Sequence, residues 1–403
     1  MTERPLKIYV VAGEHSGDAL GGRLMAALKS RLGSDHVSFS GVGGDEMQAE
    51  GLASLFPIDD VAVMGLVAIA KGLPRIYQRV HQTVAAAVAA KPDLVVIIDS
   101  PEFTHPIAKR IRKRAPHIPI VDYVSPSVWA WRPGRAKKMR GYVDHVLALL
   151  PFEPDAHARL GGPPCTYVGH PLVEKLDAIR QADAAGLAAR LGLRVDKPVL
   201  VVLPGSRRSE VTHLIGVFGE TVGRLAEMGA EVDAVIPAVR HVRGMIEEQT
   251  TSWRIKPHIV DGAQDKYAAI RLARAALAAS GTVTLELGLA RTPMVVAYRA
   301  DIVIAQLRHL IKSPTVVLAN LVLGENAFPE LLQNDCTADN LAAALRPLLE
   351  GGPARELQLA ALARIPSRFE YAGESPSFAA ADATLQALRD HRSAGKSRLA
   401  GPT

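Results

Sequence analysis

Asp99 ends the expected strand Asp93 to Ile98, and Arg207 directly follows a Pro204-Gly205-Ser206 turn; of all the side chains these two are best spaced for chemistry. Ligands in open α/β sheets sit beyond the carboxyl ends of the strands, so a carboxylate at the end of Asp93 to Ile98 is placed to act as a general base. Its competing role is to cap the helix that follows Pro101. At the other turn Pro204 fixes its own φ, Gly205 lets the backbone pass close to a ligand, and Ser206 can cap a helix starting near Arg207 or Ser209. Free N–H groups and a guanidinium then converge on one point, which suits a phosphate. An ordinary strand-to-helix connection with solvated arginines is the plainer alternative.

A second small-residue turn, Ser280-Gly281-Thr282, precedes a helix running to Ala290. Thr282 can cap that helix, whose N-terminus offers N–H groups to a diphosphate. Glu286, one turn beyond on the same face, can accept hydrogen bonds from a vicinal diol such as a ribose, or can sit in a salt bridge internal to the helix. The exit of the strand at His258, with Gly262 and Ala263, can present backbone groups to a planar base.

In the first half, Gly13-Glu14-His15-Ser16-Gly17-Asp18 lacks the GxGxxG pattern, and Glu14 would repel a phosphate. A neutral hydroxylated ligand suits it better, with a cap or a local ion pair as the other roles. Ser125 to Arg132 brings Trp129 and Trp131 beside Arg132, ahead of Arg135, Lys137, Lys138 and Arg140. Indoles stacked with an arginine can build a sugar or nucleotide wall, or the rings can pack in a core. The basic patch falls short of a recognisable nucleic-acid module. No Asp-x-Asp occurs, so a metal-bridged diphosphate has no obvious ligands, and neither a metal nor a cofactor is expected. Cys165 and Cys336 form no CxxC, which argues against a zinc site or a disulfide framework and for a reducing compartment.

The elements that must position these residues read as two βα series. Strands are expected at Lys7 to Ala12, Val37 to Ser40, Asp93 to Ile98, Ile118 to Val124 and Asp144 to Leu149, then at Val199 to Leu203, Glu231 to Ile236, Ala275 to Ala279 and Met294 to Ala297. Continuous apolar runs such as Val199 to Leu203 fit parallel strands covered on both faces. A chain of 403 residues, 48% hydrophobic, has room for two or three domains. The boundaries are drawn at 1–175 and 176–353, with helices over 354–390 packing across the domains and a disordered tail over 391–403. Asn326 to Leu332 is expected to be helical.

The net charge of +6 fits anionic small molecules, nucleic acid or an anionic membrane without choosing among them. Met1 to Lys7 leaves no room for a signal peptide, and no apolar run is long enough to span a bilayer. Val61 to Tyr77 is apolar on nearly every face, broken by Gly65, Gly72 and Pro74, and flanked by Lys71, Arg75 and Arg79. A buried helix pair would read this way; so would a greasy surface for acyl chains whose cations face anionic head groups.

Glu14 to Asp18, Val61 to Gly65, Ser125 to Arg132, Pro151-Phe152-Glu153, Gly169-His170, Pro204 to Val211 and Ser280 to Thr282 with Glu286 together resemble the lipid-A-disaccharide synthase family, in order from about Lys7 to Leu388. The resemblance implies an α/β GT-B fold: two facing Rossmann-like domains with parallel sheets and a C-terminal crossover helix, acceptor on the first and UDP-sugar on the second. It implies transfer of 2,3-diacylglucosamine from UDP-2,3-diacylglucosamine to 2,3-diacylglucosamine 1-phosphate with inversion, giving the β-1,6 disaccharide 1-phosphate and UDP.

Carried onto this sequence, Asp99 and Glu14 become catalytic or acceptor-side residues. Arg207, Glu286 and Asn320 become nucleotide contacts, and the reading of the turns themselves adds Ser206, Gly262, Ala263, Ser280, Gly281 and Thr282 on the UDP side. Ser16, Ser125, Trp129, Trp131 and Arg132 form the acceptor wall, and Met64, Leu66, Ile69 and Leu73 meet acyl chains or membrane. A cytoplasmic protein on the inner face of an anionic inner membrane, with a homodimer among the expected assemblies, completes the implication. The chain departs from the family at Ala319, where a proline is usual, at Glu325, where an arginine is common, and at His15, where a smaller residue is frequent. Alternatives from the residues alone are a UDP-sugar transferase or epimerase with a soluble substrate, and a UDP-sugar-binding protein without catalysis.

Overall fold

The computed structural model describes residues 4–61, 66–194, 196–299, 313–370 and 373–399, with only the backbone described at 66–73 and 395–399. The chain divides into two compact units, residues 1–171 with 371–403, and residues 172–370.

The first unit is built on seven strands: β1 (Leu6–Ala12), β2 (Val37–Val42), β3 (Ala53–Ser54), β4 (Leu94–Ile98), β5 (Ile120–Tyr123), β6 (His145–Ala148) and β7 (Cys165–Tyr167). Their order is β3-β2-β1-β4-β5-β6-β7, every pair parallel. Side chains alternate along a strand, so one run of apolar residues feeds two cores. Ile8, Val10 and Ala12 of β1 join Val96 and Ile98 under the helices His15–Leu32 and Pro376–Leu399. Tyr9 and Val11 join Val95 and Ile97 on the other face, against Val80 and Val84 of the helix Leu66–Ala90 and Ile107 and Ile111 of the helix Pro101–Arg114.

The second unit repeats the plan with β8 (Val199–Leu203), β9 (Asp233–Ala238), β10 (His258–Asp261), β11 (Ala275–Ala279), β12 (Met294–Tyr298) and β13 (Glu330–Leu332). The order is β10-β9-β8-β11-β12-β13, again all parallel. Leu200 and Val202 pack with Leu214, Phe218 and Val222 of the helix Arg208–Glu227 and with Leu341 and Leu345 of the helix Ala338–Glu350.

Four expectations change. Val61 to Tyr77 does not break into a helix pair, because one helix runs from Leu66 through Gly72 and Pro74 to Ala90. The segment from Asn326 to Leu332 holds β13 instead of a helix, its backbone paired with β12. The span 354–390 separates: helix Pro353–Arg368 packs on helices Val283–Ala290 and Leu318–Leu323 of the second unit, and helix Pro376–Leu399 packs on His15–Leu32 of the first. The tail expected to be disordered from 391 is helical through Leu399; His391 reaches the His117 carbonyl at 3.0 Å and Arg392 reaches Asp93 at 3.2 Å.

Candidate active site

Strand order reverses between β1 and β4, and there Ala12 lies opposite Ile98, so Gly13-Glu14 and Asp99-Ser100 leave the sheet side by side. Such switch points are where open α/β sheets hold ligands. Gly13 is needed for the approach: a Cβ there would lie 2.7 Å from the Ser100 Cβ. Asp99 and Ser100 both take left-handed backbone, φ 53° and 43°, each worth roughly 1–3 kcal/mol of strain for a non-glycine residue. The neighbours hold them there: Asp99 N–H donates to Tyr123 O at 3.0 Å, and Thr104 Oγ1 to Asp99 O at 2.7 Å.

Asp99 is half-buried, and its carboxylate accepts from Ser100 N at 2.7 Å and Ser16 Oγ at 3.2 Å. Ser100, not Asp99, takes the N-cap position of the following helix. Glu14, half-buried, occupies the N-cap position of His15–Leu32 without a side-chain cap bond. Asp18, from the same motif, is structural: its buried carboxylate accepts from Gly44, Glu46 and Met47 N–H at 2.7, 3.0 and 3.1 Å. His15 pairs with Asp59 at 3.1 Å.

Beyond β5 the two tryptophans of Ser125 to Arg132 part company. Trp129 is half-buried, edge-on to Phe152 at 5.2 Å, and donates Nε1–H to Glu153 Oε1 at 3.2 Å. Trp131 is 38% exposed, with the Arg132 guanidinium 4.2 Å from its ring centre and Arg132 itself at φ 53°. Of the side chains expected to form a wall, Trp131 and Arg132 are the exposed pair, and Trp129 is held inward by its contacts with Phe152 and Glu153. Ser125 is buried against His157 Nε2 at 2.8 Å. Burial pushes the Glu153 carboxyl up to about 7 and lowers His157 below its ordinary value. Neither residue was given a role from sequence, although a carboxylate directly after Pro-Phe at a strand exit was a usable signal.

In the second unit the reversal falls between β8 and β11, with Leu203 opposite Ala278, so the Pro204 turn and the Ser280 turn emerge as neighbours. The amides expected to hold phosphate are otherwise engaged: Ser206 N–H and Arg207 N–H donate to Glu210 Oε2 at 3.0 and 3.2 Å. Arg207 guanidinium meets Glu210 Oε1 at 3.3 Å. Arg207, rather than Ser206, occupies the N-cap, while the Ser206 carbonyl accepts from His241 at 2.8 Å. Gly205, φ 111°, makes room for this, since a Cβ there would lie 2.3 Å from Glu210 Oε2.

Ser280 donates its hydroxyl proton to the Val316 carbonyl at 2.8 Å. Thr282 takes the N-cap position of Val283–Ala290 but makes no side-chain cap bond. A helix start leaves its first amides without intrahelical acceptors, and Gly281 and Thr282 lie at that end. Glu286 is 8% exposed and pairs with Lys266 on the neighbouring helix Gly262–Leu272, so the salt bridge internal to its own helix is not the one formed. Tyr267 beside Lys266 is pushed up to about 12 by burial, with Glu286 adding to it. Gly262 and Ala263, both exposed residues, begin that helix.

Asn320, expected as a UDP contact, is turned inward. It is 1% exposed, and its amide clasps the Phe328 backbone, donating to Phe328 O and accepting from Phe328 N, both at 2.9 Å. Ala319 is fully buried beside it, and Glu325 pairs with Arg364.

Met64 lies outside the described residues, as do the side chains of Leu66, Ile69 and Leu73, which stand in the first two turns of the helix Leu66–Ala90. The cations expected to face head groups are partly committed: Arg75 and Arg79 both pair with the buried Asp60. Among the described residues no helix is long and apolar enough to cross a membrane, and no group of three or more His, Cys, Asp or Glu stands together as a metal site.

The chain matches the lipid-A-disaccharide synthetase family model over residues 8–368. It is 53% identical over 388 residues to a lipid-A-disaccharide synthase of Rhodopseudomonas palustris, covering 96% of this chain and 98% of that one. It is 52% identical over 387 residues to that of Nitrobacter hamburgensis, covering 96% of each. Among solved structures, a UDP-GlcNAc 2-epimerase from Neisseria meningitidis bound to UDP-GlcNAc superposes with a TM-score of 0.64 at 12% identity, over 96% of this chain and 100% of that one. A glycosyltransferase from Rickettsia africae gives 0.58 at 12%, over 96% and 99%. These two likenesses bear on the fold alone.

Proposed function

The chain belongs to the lipid-A-disaccharide synthetase family, and from that premise we propose how its residues share out the reaction. The activity is a glycosyl transfer: 2,3-diacylglucosamine passes from UDP-2,3-diacylglucosamine to 2,3-diacylglucosamine 1-phosphate, releasing UDP. Neither a soluble sugar substrate nor catalytically silent binding is favoured beside that membership.

The observation that carries the assignment is the emergence of Asp99 beside Glu14 where strand order reverses in the first sheet. Asp99 takes the proton of the acceptor 6-hydroxyl as that oxygen forms its bond to the anomeric carbon, and the bond from that carbon to the UDP oxygen breaks. Hydrogen bonds from Ser16 and Ser100 aim the carboxylate. Glu14 accepts a sugar hydroxyl, and Ser16 with Trp131 and Arg132 walls the acceptor. In the second unit the amides at the start of Val283–Ala290 and the Arg207 guanidinium receive the charge that gathers on departing UDP. Glu286 holds the ribose diol and the Gly262-Ala263 backbone the base. The apolar start of the Leu66–Ala90 helix, with Met64, Leu66, Ile69 and Leu73, meets acyl chains at the cytoplasmic face of the inner membrane.

Asp99→Asn tests the core of this reading. The variant should lose turnover by about 10²–10⁴-fold, the usual worth of a general base, while binding UDP as the wild type does. Unchanged turnover would remove Asp99 from the mechanism.

A further inference from the structure

A short helix, Glu153–Arg159, grips the loop that carries Trp131 and Arg132 at two points. Glu153 is 4% exposed, and both of its oxygens are occupied: Oε1 by Trp129 Nε1–H at 3.2 Å and Oε2 by Leu150 N–H at 3.0 Å. One turn later His157, 0% exposed, places Nε2 2.8 Å from Ser125 Oγ. The spacing matches on both sides: Glu153 and His157 stand four apart on the helix, as do Trp129 and Ser125 on the loop. Phe152 adds an edge-on contact to the Trp129 ring.

At the second grip Ser125 Oγ also reaches the Pro126 carbonyl at 3.1 Å; donating there, it is left to accept from His157 in the tautomer protonated on Nε2. His157 Nδ1 faces Gly162 so closely that a Cβ there would lie 2.5 Å away, and it has no partner. Ser125 and His157 are 6% and 0% exposed, so the pair is sealed from substrate and serves to hold the loop.

We propose that Glu153, seconded by His157, is a positioning residue for the acceptor wall: by pinning Trp129 and Ser125 it sets where Trp131 and Arg132 stand. The proposal rests on reading that loop as the acceptor's wall. A carboxyl is required because two N–H donors converge on it; a glutamine offers a single oxygen and would turn its own N–H toward one of them. Trp131 lies two residues beyond the pinned Trp129, and Arg132 holds a left-handed backbone, so release of the anchor displaces both groups.

The test uses the full chain in detergent with Glu153→Gln, Ser125→Ala and Trp131→Ala. Glu153→Gln should raise KM for the diacylglucosamine 1-phosphate acceptor at least fivefold, leave KM for the UDP-sugar and the affinity for UDP unchanged, and make tryptophan emission more accessible to acrylamide. Ser125→Ala, which leaves Glu153 in place, should move acceptor KM in the same direction by a smaller factor and keeps the test alive should Glu153→Gln misfold. Trp131→Ala separates the two levels. If it leaves acceptor KM unchanged, the wall reading fails and the clamp with it. If it raises acceptor KM while folded Glu153→Gln and Ser125→Ala do not, only the clamp fails. Equal rises in both KM values with a lowered melting temperature would also overturn it, as a general loss of structure.

Discussion

The Ser16 hydroxyl donates to the Asp99 carboxylate across 3.2 Å, tying the start of helix His15–Leu32 to the turn after β4. A hydrogen bond to a charged group contributes about 1.5–3 kcal/mol, which here serves to aim the base. Ser16→Ala should therefore lower kcat by roughly tenfold to a hundredfold, less than the loss expected of Asp99→Asn, with KM for the donor unchanged. Steady-state kinetics on the two variants decide it; equal losses would mean that Ser16 acts for itself.

Arg207 is more than half exposed and sits on Glu210. Replacement by alanine should weaken UDP binding by about 1.5–3 kcal/mol, as for a charge-assisted hydrogen bond, with melting unaltered. Calorimetric titration with UDP is the measurement. A variant that binds UDP normally would assign the arginine to helix capping alone.

Glu286 combines burial with an ion pair to Lys266. If it also holds the ribose diol, Glu286→Gln should weaken UDP roughly tenfold or more yet leave 2′-deoxy-UDP nearly unaffected. Loss of both ligands in parallel, with a drop in melting temperature, would reduce Glu286 to a structural ion pair.

Glu153 and His170 make opposite demands on pH. Burial raises the Glu153 carboxyl to about 7, so the unfolded chain releases this proton near the ordinary value while the folded chain keeps it. Its stability contribution is full below the ordinary value and is lost as pH rises through about 7, by up to about 3 kcal/mol. Burial, with Arg23 adding to it, lowers His170 to about 4; its contribution is present above the ordinary histidine value and lost as pH falls through about 4. Denaturant midpoints of wild type and Glu153→Gln at pH 5 and pH 8 isolate the first effect. The variant should gain on the wild type between those two values; a constant difference would refute the linkage.

Polar replacement of Leu66, Ile69 and Leu73 together should release the protein from anionic vesicles while its melting temperature holds. Flotation and thermal melting read the two arms. A collapsed melting temperature would put those side chains in the core instead.

The sheets were legible because a parallel strand covered on both faces is written as an unbroken apolar run, as in Val199 to Leu203, and because the turns after β1, β4, β8 and β11 carry the small and charged residues. Side-chain roles were less legible where the partner is distant. Ser280 bonds Val316, Asn320 bonds Phe328, and Glu286 meets Lys266, none of which local spacing announces. The Glu210 cap was half legible: a glutamate at the third helical position is one half of a capping box, but the N-cap is Arg207 in place of the usual Ser or Thr. The C-terminal helix was missed past 390 because its charged residues read as solvated tail, whereas His391 and Arg392 reach back to His117 and Asp93.

Because the helix Pro376–Leu399 packs its alanines, Ala379, Ala380 and Ala381, beneath the first sheet, that half is assembled from two stretches separated by the whole of the second unit. During synthesis the uninterrupted stretch 172–370 has all its parts as soon as it leaves the ribosome, while the earlier-made sheet waits, one face covered by His15–Leu32 but not by Pro376–Leu399, for residues 371 onward. A nonsense codon just after 370 would therefore cripple the portion made first and spare the portion made second.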